Sequence, residues 1–442
     1  MVSAFANSFR SVASARHRRF ALLAIGLGTS LPAADTAVNV ALPAIADALL
    51  SDPLAIRWTV IVYVLTYACL MMLIGAWGDR KGYWRVFRLG LWTGVIAYGI
   101  CSLASDYLAL LIGRGLQGFS TALLLSVGPA LMVLVFAADQ QGADQQRRGV
   151  AAYGALSSAA AALGPLVGGL MIHALGWSGV FWFRFPAALL ALFCLGLAGT
   201  ETRNHDDLGR NRATFQALAR RTGQSAFGLL AQSFSHQCAA TLIRAHALHA
   251  WAQCCGFTSM LLIPFLMVHV MHQAAASLGL VLFAWPAGMA LGNSLGPGLI
   301  RRIGILGGMR VGIGILALGG ISLALFCSVS DPQQGPYEGR HALALALALG
   351  IQGAGLGLFQ MIYTDWVLAQ SAASERGVAG AASLTSRTCG VIVAALLWPD
   401  LTSQLAQNFN WTWSEALALI YGCCALSLFG LLSQTTRRSL RM

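Results

Sequence analysis

The sequence predicts an all-α membrane protein of twelve transmembrane helices. Three observations carry that reading. The 442-residue chain is 57% hydrophobic and only 10% charged, whereas soluble domains carry about 25% charged residues. Its apolar residues gather in long runs, each near or above the ~20 residues that cross ~30 Å of hydrocarbon as helix. The basic residues keep to one side. Of the 28 Lys and Arg, twenty-three fall in the N-terminal tail, in every second inter-span segment and at the C-terminus. Arg57, Arg184 and Arg340 fall on the opposite side, and Arg114 and Arg387 lie inside spans. This asymmetry places both termini in the cytoplasm. It also argues against nucleic-acid binding as the meaning of the net charge of +12.

In order, the spans run over roughly 20–44, 56–76, 87–105, 107–136, 150–172, 179–199, 246–270, 277–299, 311–330, 342–370, 377–399 and 413–433. Ahead of them is a basic tail, 1–19, too polar to begin a cleavable leader. A short tail, 434–442, follows them. The chain also repeats. A shift of 222 residues lays the first span on the seventh, the second on the eighth, the third on the ninth and the fifth on the eleventh. Ten cysteines occur, nearly all inside apolar runs, with no CxxC spacing. They read as small buried hydrophobes.

Between the second and third spans lies GAWGDRKG, residues 75–82, carrying Asp79, Arg80 and Lys81, the chain's single lysine. A short charged turn with glycines between two apolar runs is a tight loop at a membrane face. The pattern Gly75-x-x-x-Asp79-Arg80-x-Gly82 resembles the loop between the second and third helices of the major facilitator superfamily. Tyr83 and Trp84 stand where that loop usually has basic residues. The 222-residue shift moves the pattern onto Arg301-Arg302-x-Gly304, a weak second copy.

Three further stretches resemble the same superfamily, and its drug:proton antiporter branch in particular. The first is DTAVNVALP, residues 35–43. Asp35 and Asn39 are four apart and share a helix face. An ionisable residue inside a span is costly and points to function; helix packing by Asn39 is the rival reading. The Asp-to-Asn spacing is one residue shorter than in the branch's motif. The second is Arg114-x-x-Gln117-Gly118 in the fourth span, and the third is Gly164-Pro165-x-x-Gly168-Gly169 in the fifth. Pro165 removes a helix hydrogen bond and the glycines permit close packing. Helix rise puts Asp35 about 22 Å from the inner face and Arg114 about 10 Å from the outer face. In a ~30 Å core these depths nearly agree, so an Asp35–Arg114 contact is expected. Near the sixth span, WSGVFWFRFP departs from the branch's pattern: Ser178 replaces an Arg, and Arg184 replaces an Asn at that outer corner.

In the second half, Tyr363 and Asp365 lie in the tenth span and Arg387 in the eleventh. Asp365 lies about 8 Å and Arg387 about 15 Å from the inner face by helix rise. They are candidates to pair across a cavity wall; a purely structural pair between adjacent helices is the rival. His236, Cys238, His246, His249 and Cys254 gather at the start of the seventh span. Metal binding is one reading, histidines facing lipid headgroups the other. The polar stretch 200–245 is a cytoplasmic linker, with an amphipathic surface helix expected over 214–235.

The resemblance implies the major facilitator fold: two pseudo-symmetric six-helix bundles, 20–199 and 246–433, rocking about a midplane site. It implies a multi-pass inner-membrane transporter, not an enzyme, with no metal or cofactor. Its partners are a small-molecule substrate, protons and lipid, with no nucleic acid, and the family is usually monomeric. No GxxxxGK motif for ATP is present, so a gradient must supply the energy. Proton-coupled efflux of an amphipathic or weakly cationic drug-like compound is the expected function. Uptake or facilitated movement of a sugar or organic acid is the alternative. Burial disfavours a charged carboxylate and a nearby Arg favours it, so making and breaking an Asp–Arg contact would load and release a proton. Asp35 is the first choice of carrier and Asp365 the second. Asn39, Arg114, Gln117, Tyr363 and Arg387 line the expected cavity. Asp79 and Arg80, with Gly75 and Gly82, form the expected cytoplasmic latch.

Overall fold

The computed structural model describes residues 2–49, 53–136, 143–198, 240–329, 339–370, 376–409 and 411–439. All regular structure among them is helical. In hydrocarbon no water is available to backbone amides, and a helix satisfies them within one segment. The elements are α1 (Val2–Ala33), α2 (Thr36–Leu49), α3 (Arg57–Lys81), α4 (Tyr83–Leu103), α5 (Tyr107–Phe136), α6 (Ala143–Leu175) and the single turn α7 (Gly179–Trp182). Then come α8 (Arg184–Leu197), α9 (Ala240–Phe265), α10 (Ala275–Val329), α11 (Gly339–Ala369), α12 (Arg376–Phe409) and α13 (Trp413–Ser439). The amphipathic helix expected over 214–235 lies outside the described residues.

Among the described residues, each of the twelve expected segments is mostly helical. Nine helices among the described residues are long and apolar enough to cross a membrane, or ten when the broken pair α1–α2 is taken as one. Two features account for the difference from twelve. The 55-residue α10 holds both the eighth and ninth expected spans, and the apolar part of α3, Arg57–Met71, is short. Large apolar side chains point outward along the helices, among them Leu108 at 67% and Leu426 at 73% exposure. Such surface is stable against lipid tails and not against water.

The turns repeat as the sequence does. Gly82 separates α3 from α4 with φ 94°, and Gly304 interrupts α10 with φ 75°. Both are the last glycine of the loop pattern and of its 222-shifted copy. A side chain at positive φ brings Cβ against the following carbonyl. Gly82→Val is therefore expected to lower stability by about 1–2 kcal/mol, with Gly82→Asn milder because Asn tolerates that region. Thermal unfolding of the two purified variants checks the order.

Packing divides the chain into two compact units. The first comprises the described residues within Met1–Asp35, Leu65–Ala161 and Ser178–Ala226. In it α4 packs along α5 and α8, and α1 along α5 and α8. Phe87, Leu91, Tyr98, Leu123 and Leu124 are its buried centre. Ser120 donates to the Gly90 carbonyl at 2.7 Å, tying α5 to α4.

The second unit comprises the described residues within Thr36–Val64, Ala162–Trp177 and Phe227–Met442. Its most extensive contact is α10 against α11, joined by α9 on α12, α13 on α10, and α2 on α9 and α10. Glycines set the α10–α11 separation. A Cβ at Gly292 would sit 2.1 Å from the Ala354 carbonyl oxygen, and one at Gly357 2.2 Å from that of Met289. Helices at this distance touch backbone to backbone, as small residues allow in membranes. The α6 motif behaves alike. Pro165 lies inside the helix, a Cβ on Gly168 would meet Ala37 of α2 at 3.0 Å, and one on Gly169 the Ala275 carbonyl oxygen at 2.5 Å.

Candidate polar site around Asp35

The first span is broken where its acid lies. Helix α1 ends at Ala33, α2 begins at Thr36, and Ala34 and Asp35 form the turn between them. Pro32 precedes the break and has no amide to donate. The Asp35 amide bonds three residues back, to the Pro32 carbonyl at 3.2 Å.

Four side chains of the first unit meet here. Arg114 of α5 grips the carboxylate with both terminal nitrogens: Nη1 donates to Oδ1 at 2.7 Å and Nη2 to Oδ2 at 2.9 Å. Gln117, one turn along α5, donates from Nε2 to Oδ1 at 2.7 Å, and its Oε1 accepts from Arg114 Nη1 at 2.8 Å. The fourth is Arg184, the first residue of α8. Its Nη1 also donates to Asp35 Oδ1, at 2.7 Å, and its Nε to the Val180 carbonyl at 2.9 Å. The expected Asp35–Arg114 contact is thus present, and it is bidentate, the strongest geometry available to this pair. Arg184 was expected at the outer corner, in the polar edge. It is instead fully buried, as is Arg114, while Asp35 is 13% exposed.

One carboxylate therefore faces two guanidiniums. Burial of an ion costs several kcal/mol unless an opposite charge compensates it. The rings of Tyr98, Phe181 and Phe183 lie 5.2, 5.3 and 5.7 Å from the Arg184 guanidinium carbon. Such faces contribute roughly 0.5–2 kcal/mol each, which falls short of a counter-ion. Arg184 Nη2 is buried and has no hydrogen-bond partner among the described residues.

A second polar group sits in the other unit. Tyr363 of α11 is its hub. Its hydroxyl meets His246 Nδ1 and lies 3.4 Å from Ser386 Oγ, and its ring stacks on His249 with centroids 4.1 Å apart. His249 Nδ1 pairs with Ser386 Oγ at 2.7 Å. The sequence reading set these histidines against headgroups; His249 is instead 1% exposed and packed inside. Among the described residues no group of three His, Cys, Asp or Glu comes together to hold a metal; His236 and Cys238 lie outside them.

Other expected residues separate. Asp365 is exposed, Arg387 is half-buried, and no ion pair joins them. Asp365 is exposed two residues past the buried Tyr363, and the expected cross-wall pair is not formed. Asn39 is buried in α2. The backbone of Asp79 and Arg80 continues α3, but their side chains lie outside the described ones. Arg57 instead pairs with Asp400, an ion pair that spacing gave no reason to expect.

Residues 20–396 match the model of the Major Facilitator Superfamily. The chain belongs to the major facilitator superfamily. It is a multi-pass membrane transporter and not an enzyme. This superfamily member is 25% identical over 426 residues to the uncharacterized transporter YebQ of Escherichia coli K12, covering 85% of the chain and 88% of YebQ. A shorter match, 32% identical over 172 residues, joins it to the methylenomycin A resistance protein of Bacillus subtilis, covering 39% of the chain and 36% of that protein. The nucleoside transporter NupG has the same fold, with TM-score 0.66 at 14% identity over 95% of this chain and 98% of NupG.

Proposed function

We propose that this transporter exports a small amphipathic compound in exchange for protons. The carrying observation is a largely buried carboxylate, Asp35, at a break in the first transmembrane helix and held by fully buried arginines of two other helices. Broken helices near the midplane are where secondary transporters bind ions and substrates. In the present state Asp35 is fully paired. A proton reaches it only after the guanidiniums withdraw, so a rearrangement of α5 or α8 and proton loading become one event. Similarity to an antibiotic resistance protein over 39% of the chain supports the export direction.

In this reading the chain forms two bundles, 20–199 and 246–433, linked through 200–245, with both termini cytoplasmic in the inner membrane. Asp79, Arg80 and Gly82 act as the cytoplasmic latch. Asn39, Tyr363 and Arg387 belong to the cavity wall. The close seat of Gly168 and Gly169 on α2 and α10 suits helices that move together as one rigid body.

The test is transport by the purified chain in proteoliposomes with an imposed pH gradient, read by a trapped pH-sensitive dye. Compound-dependent proton movement is the expected result. Compound movement without a proton signal would replace exchange by facilitated diffusion.

A further inference from the structure

Two exposed apolar stripes repeat at the 222-residue interval. On α4 the side chains of Leu89, Ile96 and Leu103 are exposed at seven-residue spacing, and on α10 those of Val311, Leu318 and Leu325 are exposed at the same spacing. Seven residues are close to two helical turns, so each trio lies along one face and runs about 21 Å. That length exceeds half of the ~30 Å hydrocarbon core, the depth of one leaflet.

Basic side chains head both stripes. Lys81 and Arg85 are exposed and Arg88 half-buried ahead of the first; Arg301 and Arg302 are exposed and Arg310 half-buried ahead of the second. Arg85 is four residues from Leu89 and so shares its face. Each basic group gathers at a glycine of positive φ, Gly82 or Gly304. Neither α4 nor α10 contains an acidic residue. The shift lays Arg88 on Arg310 and each apolar residue of one stripe on its counterpart in the other, and exposure matches at all four pairs. Any spanning helix shows apolar side chains to lipid, but not every such face has a basic head. The exposed Leu108 and Ile112 at the start of α5 follow an exposed acid, Asp106.

We propose that each stripe seats one anionic phospholipid, its headgroup on the basic side chains and an acyl chain along the three apolar ones. A zwitterionic lipid has the same phosphate, but its own ammonium offsets the charge; phosphatidylglycerol keeps a net negative charge. Basic residues near a membrane surface favour such lipids by roughly fivefold each. Arginine suits a phosphate through its planar fork, and its stem can lie along apolar surface while the head reaches the interface. The inference concerns bound lipid and not the transported compound, so it stands whether or not Asp35 carries a proton.

The test is photo-crosslinking of the full chain in phosphatidylcholine nanodiscs. Separate preparations contain phosphatidylglycerol, phosphatidylethanolamine or phosphatidylcholine, each with the same diazirine-bearing acyl chain and in equal amount. Labelled peptides are identified by mass spectrometry. Phosphatidylglycerol is expected to label the segments holding Leu89 and Ile96, and Val311 and Leu318, at least roughly fivefold more than either other lipid. No such excess is expected at Leu108 and Ile112. Lys81→Gln with Arg85→Gln should remove the excess from α4 and keep it on α10. Arg301→Gln with Arg302→Gln should do the reverse, and the untouched stripe reports that each variant is folded. Equal labelling by the three lipids overturns the proposal. So does an excess that survives the substitutions at its own stripe, or one that extends to Leu108 and Ile112, which would be attraction to the protein's overall charge. An excess on one stripe alone overturns the assignment of the other. Phosphatidylethanolamine labelling as strongly as phosphatidylglycerol, both above phosphatidylcholine, would point to headgroup hydrogen bonding and overturn the anionic assignment.

Discussion

Asp35→Asn is expected to abolish compound-dependent proton movement and to lower thermal stability at the same time. The two losses have one cause. The carboxylate accepts from Arg114 through two nitrogens and from Arg184 and Gln117 through one each. An amide cannot balance either guanidinium, so two like charges remain buried side by side. Removing one partner from a buried ion pair costs about 3–5 kcal/mol. The double variant Asp35→Asn with Arg184→Asn separates structure from coupling. It leaves a single buried guanidinium, the same net charge over positions 35, 114 and 184 as in the unaltered chain. Its unfolding temperature should recover most of the loss, whereas proton movement should stay absent. The measurements are thermal unfolding in detergent and dye fluorescence in proteoliposomes, on the same preparations. Normal proton movement by Asp35→Asn would assign the carrier to another group. A double variant no more stable than the single one would mean that the charge surplus is not what destabilises it.

Gly292→Val should cost about 3 kcal/mol or more and reduce the yield of monodisperse protein. A Cβ there would lie 2.1 Å from the Ala354 carbonyl oxygen and 2.7 Å from the Leu358 amide nitrogen. Both neighbours are backbone, so neither rotates aside and α10 must move away from α11. Overpacking that shifts a backbone costs typically 1–3 kcal/mol and sometimes more. Gly298→Val is the control, six residues along the same helix. A Cβ at Gly298 meets nothing within 4 Å, and Val is no worse a helix former than Gly. Its effect should stay within about 1 kcal/mol. Equal losses at both positions in thermal unfolding would show that helix propensity, and not the close approach, governs the effect.

How far the sequence could be read differs between fold and site for a physical reason. Apolar runs, their lengths and the bias of Lys and Arg are properties of consecutive residues, and hydrocarbon leaves a run of that kind little choice but helix. The repeat was legible in the same way, and Gly82 and Gly304 show it in their shared positive φ. The Asp35–Arg114 contact was within reach because helix rise converts residue number into depth. Arg184 was not. Its position among aromatics at the start of the sixth span looks like a polar edge, and only one cue stood out: an Arg where the resembled motif has Asn. Depth also misled for Asp365 and Arg387. Two residues at compatible depths pair only if their helix faces meet, and those of Asp365 and Arg387 do not.

By itself the sequence determined a multi-helix membrane transporter, its span order, its loop glycines and the acid and arginine around which polar chemistry gathers. These follow from local composition and from the one-dimensional constraint that a membrane imposes. Tertiary structure alone decided that Asp35 serves two arginines and not one, that His249 is buried against Tyr363, and that α10 and α11 touch through their backbones. Those outcomes depend on which faces of distant helices meet. Residues 35 and 184 are 149 apart, and no pattern along the chain encodes the azimuth at which their helices pack.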